Sequence, residues 1–143
     1  MLKKINRLSK STDFSYLYKK GLKAKSSYGL MSGILIDLQP KEHTLQNTKF
    51  KKEKRIKIGF VVNKKIGKAF FRNKVKRQLR AIAQEYLKSE DKIKKINEIN
   101  KNQEVLISYI LYPNNEYEYL DLRKTFFEQL DFILNTLLRK KNS

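Results

Sequence analysis

Between positions 64 and 80 the chain reads KKIGKAFFRNKVKRQLR. Lys64, Lys65, Lys68, Arg72, Lys74, Lys76, Arg77 and Arg80 are all cationic, and no carboxylate lies among them. The chemistry open to such a set is phosphate neutralisation. Lys and Arg displace counterions from a polyanion, and Arg adds a planar fork that holds phosphate oxygens in pairs. Asn73, amid the cations, both donates and accepts, so it can orient a phosphate, a water or a hydrated metal ion. Other chemistries lack their residues. There is no cysteine, which removes disulfides, thiolate nucleophiles and Cys-based zinc sites. The one histidine, His43, sits in the polar run QPKEHTLQNTK and reads as a solvated loop residue. Neither a Ser-His-Asp set nor a His-metal cluster can be assembled. Glu85, Glu90 and Asp91 are the acids a protein nuclease would have to use. They read as solubilising charge in a helix tail.

These cations need an element to present them. From about Ala69 the apolar period is helical: Phe71, Val75, Leu79, Ile82 and Tyr86 recur at spacings of four, four, three and four. Arg72, Asn73, Lys76, Arg77 and Arg80 are expected on the opposite arc. Lys64 to Lys68 form a connection with a glycine. Before it, RIKIGFVVN (55–63) alternates, with Ile56, Ile58, Phe60 and Val62 pointing one way, as in a strand. YGLMSGILIDL (28–38) is a further strand, and the two are most simply an antiparallel pair. STDFSYLYKKG (11–21) predicts a short helix with Ser11 or Thr12 at its cap, Gly21 at C′, and Phe14, Leu17 and Tyr18 on one face. That face suits core packing, and aromatics beside cations also suit stacking on bases. Residues 39–54 are polar and Lys-rich and read as a long loop. Residues 88–103 fit either an extension of the basic helix or a loop. EVLISYILY (104–112) is apolar throughout, as in a strand covered on both faces, and Pro113 ends it. A last helix over 116–140 carries Leu120, Phe127, Leu130, Ile133, Leu134, Leu137 and Leu138 as its core stripe. The order is α-β-β-α-β-α, which implies one domain over 1–143 of the α+β class. It is a compact two-layer α/β sandwich with a βαβ unit around the basic helix.

Composition narrows the partner. The net charge is +19, from 33 Lys and Arg against 14 Asp and Glu. Charge of this size in 143 residues is self-repulsive unless a polyanion neutralises it, and nucleic acid is the usual one. Lys, Asn and Ile are abundant together, so a biased genome inflates the count, but bias does not cluster the charge. The start, MLKKINRLSK, is basic with no apolar h-region after it, which speaks against a signal peptide. No apolar run is long enough to span a bilayer. The expected setting is cytoplasmic.

Three uses of the basic helix compete. A plain solvated face ordinarily mixes signs, because like charges four apart repel. Here Lys68, Arg72, Lys76 and Arg80 sit four apart with no acid between. A membrane-surface helix needs a free apolar side, whereas this one is required by the core. RNA or DNA binding uses the cations as they stand. No helix-turn-helix, zinc finger or Gly-rich phosphate loop accompanies them, so recognition of shape and backbone is expected.

At this point the residues resemble a family. NKKIGKAFFRNKVKRQLR, preceded by IGFVV, is similar to the signature of the bacterial ribonuclease P protein subunit: a strand, a Lys-Lys-x-Gly connection, and a helix opening with Arg-Asn-Arg, then a Lys-Arg pair and a further Arg. RLSKSTDFSYLYKKG resembles the family's first helix, with Asp-Phe and a second aromatic four residues on. The resemblance covers most of the chain except about 39–54 and 88–103. It implies a non-catalytic partner of a catalytic RNA. That RNA, with bound Mg2+, removes the 5′ leader from precursor tRNA. It also implies a left-handed βαβ crossover, against the general rule, and one protein per RNA. Residue by residue, it implies that Arg72, Asn73, Lys74, Lys76, Arg77 and Arg80 contact the catalytic RNA and support its metal ions. Phe14 and Tyr18, with Lys64, Lys65 and Lys68, would face the leader cleft; Tyr28 is a candidate for the cleft's first-strand aromatic.

Two positions depart from the pattern. Lys74 replaces the second Arg of Arg-Asn-Arg and loses its bidentate fork. Lys68 stands where the family often has a small polar residue. The Lys-rich inserts near 39–54 and 88–103 are extra. The alternative reading is a ribosomal or RNA-chaperone protein of similar small fold, with no part in cleavage.

Overall fold

The computed structural model describes residues 6–8, 11–37, 56–99, 102–113 and 117–141. Helix α1 is Ser11–Lys20, strand β1 Leu22–Lys25, β2 Gly29–Asp37 and β3 Ile56–Val61. A 3-10 turn (Lys64–Ile66) leads to helix α2 (Ala69–Lys88), then α3 (Glu90–Asn97), β4 (Gln103–Leu111) and α4 (Tyr119–Lys141). The class is α+β, with one four-stranded sheet in the order β1-β2-β4-β3.

The pairing differs from expectation. β2 and β3 are not partners, because β4 lies between them. β2 runs antiparallel to β4, from Gly29↔Leu111 to Asp37↔Gln103, and β3 runs parallel to it, from Ile56↔Val105 to Val61↔Ile110. The reason is burial. Residues 104 to 109 of β4 are buried in succession, and only an interior strand can cover both faces of such a run. Parallel pairing of β3 with β4 then requires the crossover that α2 and α3 supply.

Alternation in β4 sorts the core. Val105, Ile107, Tyr109 and Leu111 join the main cluster with Val75, Leu79, Ile82 and Tyr86 of α2 and Leu122, Phe126 and Leu130 of α4. Leu106 points the other way, to Leu8 and Leu17, with Phe14, Ile34 and Ile36 alongside. So α1 covers one face of the sheet and the longer helices cover the other. The stripe of α4 is offset from expectation. Leu120 is exposed, while Leu122 and Phe126 are fully buried. The spacing 122, 126, 130, 133, 134, 137, 138 is the more regular helical one.

Three local features were not expected. β1 is a four-residue edge strand, LKAK, too short and too polar to show a period. Its Lys23 Nζ donates to the carbonyls of Leu17 and Gly21 at 3.1 Å each and closes the C-terminal end of α1. Gly21 does not take the left-handed conformation expected at C′; Gly67 alone among the described glycines has a positive φ. The 88–103 insert contains the separate helix α3. Ser89 adopts an extended conformation (φ −66°, ψ 131°), breaks α2 and starts α3. Glu90 and Asp91 in the first turn and Lys94 and Lys95 in the last oppose the helix dipole. The long loop expected at 39–54, with His43, lies outside the described residues.

Candidate nucleic-acid interface

The basic stretch is positioned by a short chain of local constraints. Val62 is buried at the end of β3. Asn63 then caps the 3-10 turn, its Oδ1 accepting from the Lys65 amide at 3.0 Å. Ile66 is buried and pins the turn, leaving Lys64 and Lys65 exposed. Gly67, at φ +151°, redirects the chain in a conformation that residues with a Cβ rarely adopt. Lys68 stands at the N-cap of α2 with no side-chain capping bond, and the first turn of α2 holds no acid. The positive end of the helix dipole therefore stays uncompensated from within.

Along α2 the apolar side goes inward as expected. Val75, Leu79, Ile82 and Tyr86 are buried, and Phe71 is half-buried with its ring 6.2 Å from that of Tyr117. The cations divide into three placements. Asn73, Lys76, Arg77 and Arg80 line one open hollow together with Phe70. Arg72 is not opposite the apolar arc but at its margin, where its Nε donates to the Gly67 carbonyl at 3.1 Å. Lys74 is exposed outside the hollow. None of the eight cations from Lys64 to Arg80 pairs with a carboxylate among the described residues. Elsewhere Lys92 and Lys95 pair with Asp131, Arg123 with Glu85, and Lys57 with Glu104. The stretch from Lys64 to Arg80 is thus a dense block of positive charge with no described carboxylate to offset it.

Phe14 and Tyr18, expected on one face of α1, separate. Phe14 is half-buried over Gly59 of β3, where even a Cβ would come within 2.3 Å of its Cζ. Tyr18 is 60% exposed, with Lys23 Nζ 5.7 Å from its ring centroid. Lys64 and Lys65 follow shortly after β3, the strand that Phe14 covers. Tyr28 goes elsewhere. Its ring packs with Tyr117 at 6.2 Å and belongs to the main cluster, on the side of the long helices. Burial and the nearby carboxylates of Asp121 and Glu118 raise its phenol pKa.

A second polar centre braces the helices. The Tyr86 hydroxyl donates to Asp131 Oδ1 at 2.7 Å, and Lys92 Nζ binds both carboxylate oxygens at 2.8 Å. Burial alone would raise the Asp131 carboxyl. The Lys92 and Tyr86 hydrogen bonds and the charges of Lys92 and Lys95 outweigh it and hold the carboxyl below its usual range. Burial, with Asp131 beside it, pushes the Tyr86 phenol well up. Of the acids considered for a protein nuclease, Glu85 is engaged by Arg123. Among the described residues no group of three or more His, Cys, Asp or Glu comes together. The hollow on α2 does not suit a bare Mg2+ either, because Asn73 offers its only uncharged polar side chain among three cations.

The residue that sequence reasoning passed over is Phe70. It is 73% exposed, more than any other large apolar side chain described. Its signal was present, since on a helical wheel it falls beside Asn73 and Arg77, away from the apolar arc.

The family model of ribonuclease P matches residues 2–108. A ribonuclease P protein component from Syntrophomonas wolfei is 37% identical over 86 residues, 60% of this chain and 60% of its own length. One from Fusobacterium nucleatum is 31% identical over 103 residues, 72% of this chain and 71% of its own. The chain spans about three-fifths of the length of several curated relatives it matches. In fold it is similar to the Staphylococcus aureus RNase P protein, with TM-score 0.59, 21% identity, and 89% and 94% of the two chains covered. The Thermotoga maritima protein gives TM-score 0.55 at 20% identity, covering 90% and 96%.

Proposed function

Because the chain belongs to the ribonuclease P protein family, we propose that it is the protein subunit of a ribonucleoprotein endonuclease acting in the cytoplasm. It binds the catalytic RNA, one protein per RNA, and assists removal of the 5′ leader from precursor tRNA. The observation that carries this reading is the hollow of Asn73, Lys76, Arg77 and Arg80 on a helix whose cations meet no described carboxylate. Such a surface favours a phosphate backbone and reads no bases. The exposed Lys64, Lys65 and Lys68 extend the field toward the N-terminal end of α2, where free amides attract anions. Arg72 fixes Gly67 and so sets the angle of that connection. Lys74 adds charge at the flank. Tyr18, exposed beside Lys23, and Phe14, half-buried against β3, are the leader-facing aromatics of α1, where stacking tolerates any base.

Magnesium enters with the RNA. When bound there, it supplies Lewis-acid activation of the water and of the scissile phosphate. The protein supplies charge neutralisation and substrate affinity. The test is reconstitution: the chain, the same organism's candidate ribonuclease P RNA, low magnesium and a precursor tRNA. Cleavage that needs both components is expected. Cleavage by the protein alone would overturn the reading. Tight, salt-sensitive RNA binding without cleavage would favour a ribosomal or chaperone role.

A further inference from the structure

Phe70 is an apolar ring held out of the core. It is 73% exposed, although the same helix buries Val75, Leu79, Ile82 and Tyr86. Its companions in the hollow are Asn73, Lys76, Arg77 and Arg80, all polar or cationic. Phe70, Asn73, Arg77 and Arg80 follow one another at three, four and three residues, a single ridge about 15 Å long at roughly 1.5 Å per residue. Side chains on a helix lean toward its N-terminus, so Arg77 leans over the turn that carries Asn73 and Phe70. An apolar protein partner covering Phe70 would bury this unpaired charge at high cost. A nucleotide has what the hollow lacks: a flat face for the ring and a phosphate for the cations.

We infer that Phe70 is a stacking platform for one unpaired base of the RNA. The phosphates of that nucleotide and its neighbour rest on Lys76, Arg77 and Arg80, with Asn73 donating between them. This rests on the RNA-binding reading above and adds to it that the RNA presents an unstacked nucleotide at α2. A fully paired helix would offer only phosphates there and would leave the ring in water.

Two variants of the full chain test this against the same organism's ribonuclease P RNA. Phe70→Leu keeps an apolar side chain and removes the ring. It should weaken RNA binding by about five-fold or more while leaving the slope of affinity against salt unchanged, because every cation that meets a phosphate is still in place. Phe70→Trp should bind at least as well as wild type. The chain has no tryptophan, so this variant reports on position 70 alone, and its emission should be quenched as RNA is added. Phe70→Leu binding within about two-fold of wild type overturns the inference, whatever the Phe70→Trp signal. Failure of the wild-type chain to bind the RNA overturns the RNA-binding reading itself, and this is seen before any variant is made.

Discussion

Arg77 and Arg80 lie in the hollow with Asn73 and Lys76, whereas Arg72 uses its Nε on the Gly67 carbonyl. The arginines of this helix should therefore behave differently. Arg77→Ala and Arg80→Ala should each lower RNA affinity and reduce the log–log salt slope by about 0.7–0.9 for each phosphate no longer neutralised, measured by titration at several salt concentrations. Arg72→Ala should act through the connection, with a smaller change in salt slope and a measurable loss of thermal stability. Gly59→Ala tests the placement of Phe14. The new Cβ would collide with the Phe14 ring and with Leu8, so a loss of about 1–3 kcal/mol is expected in urea unfolding. If Phe14 faces the leader, the variant should also lose preference for leader-bearing precursor over mature tRNA. Residue types and a helical wheel were enough to group Asn73, Lys76, Arg77 and Arg80. They misplaced Arg72, because a residue at the margin of an apolar arc goes wherever a neighbouring acceptor lies, and that acceptor belongs to the preceding turn.

At the scale of elements, Asp131 joins α2, α3 and α4 through Tyr86, Lys92 and Lys95. Its carboxyl is lowered from the usual 3.8. The stabilisation is therefore complete above that value and is lost as pH falls through the lower folded value. Asp131→Asn should flatten this acid limb and cost about 1–2 kcal/mol near neutral pH, the half-exposed site limiting the charge contribution. A chemical-unfolding series from about pH 2 to 7 reads both. The alkaline limb has the opposite sign. Burial raises the phenols of Tyr86 and Tyr109 above 10.0, so the stability they contribute is present below that value and is lost as pH rises beyond it. Helix α3 was half-legible. Ser89 followed by Glu90 and Asp91 is a helix-start signal, but Ile93, Ile96 and Ile99 are too few and too evenly spaced among charges to separate a helix from a loop. The anchor that settles it, Asp131, lies far along the chain. β1 had no signal of its own, since a short edge strand with two lysines is held by its partner β2.

For the whole molecule, the net charge of +19 and the cations of α2, which meet no described carboxylate up to Arg80, predict stabilisation by anions. Sulfate or phosphate at millimolar concentration should raise the thermal midpoint more than chloride at equal ionic strength, because an ion that binds only the folded state shifts the equilibrium by mass action. An equal response to all three salts would assign the effect to general screening. RNA should stabilise more strongly than any of them, and should do so less at high salt.

By itself the sequence determined which segments are helix and strand around the basic stretch, which side of α2 enters the core, and where the positive charge is densest. Those properties are local: periodicity, capping and charge density are carried by residues within a few turns of one another. Only the tertiary structure decided that β4 lies between β2 and β3, that Tyr28 belongs with Tyr117 rather than with α1, and that Arg72 turns to the Gly67 carbonyl. These follow from competition among distant segments for a limited buried surface. The most continuously apolar strand takes the centre of the sheet, and every other element is placed by what that choice leaves exposed.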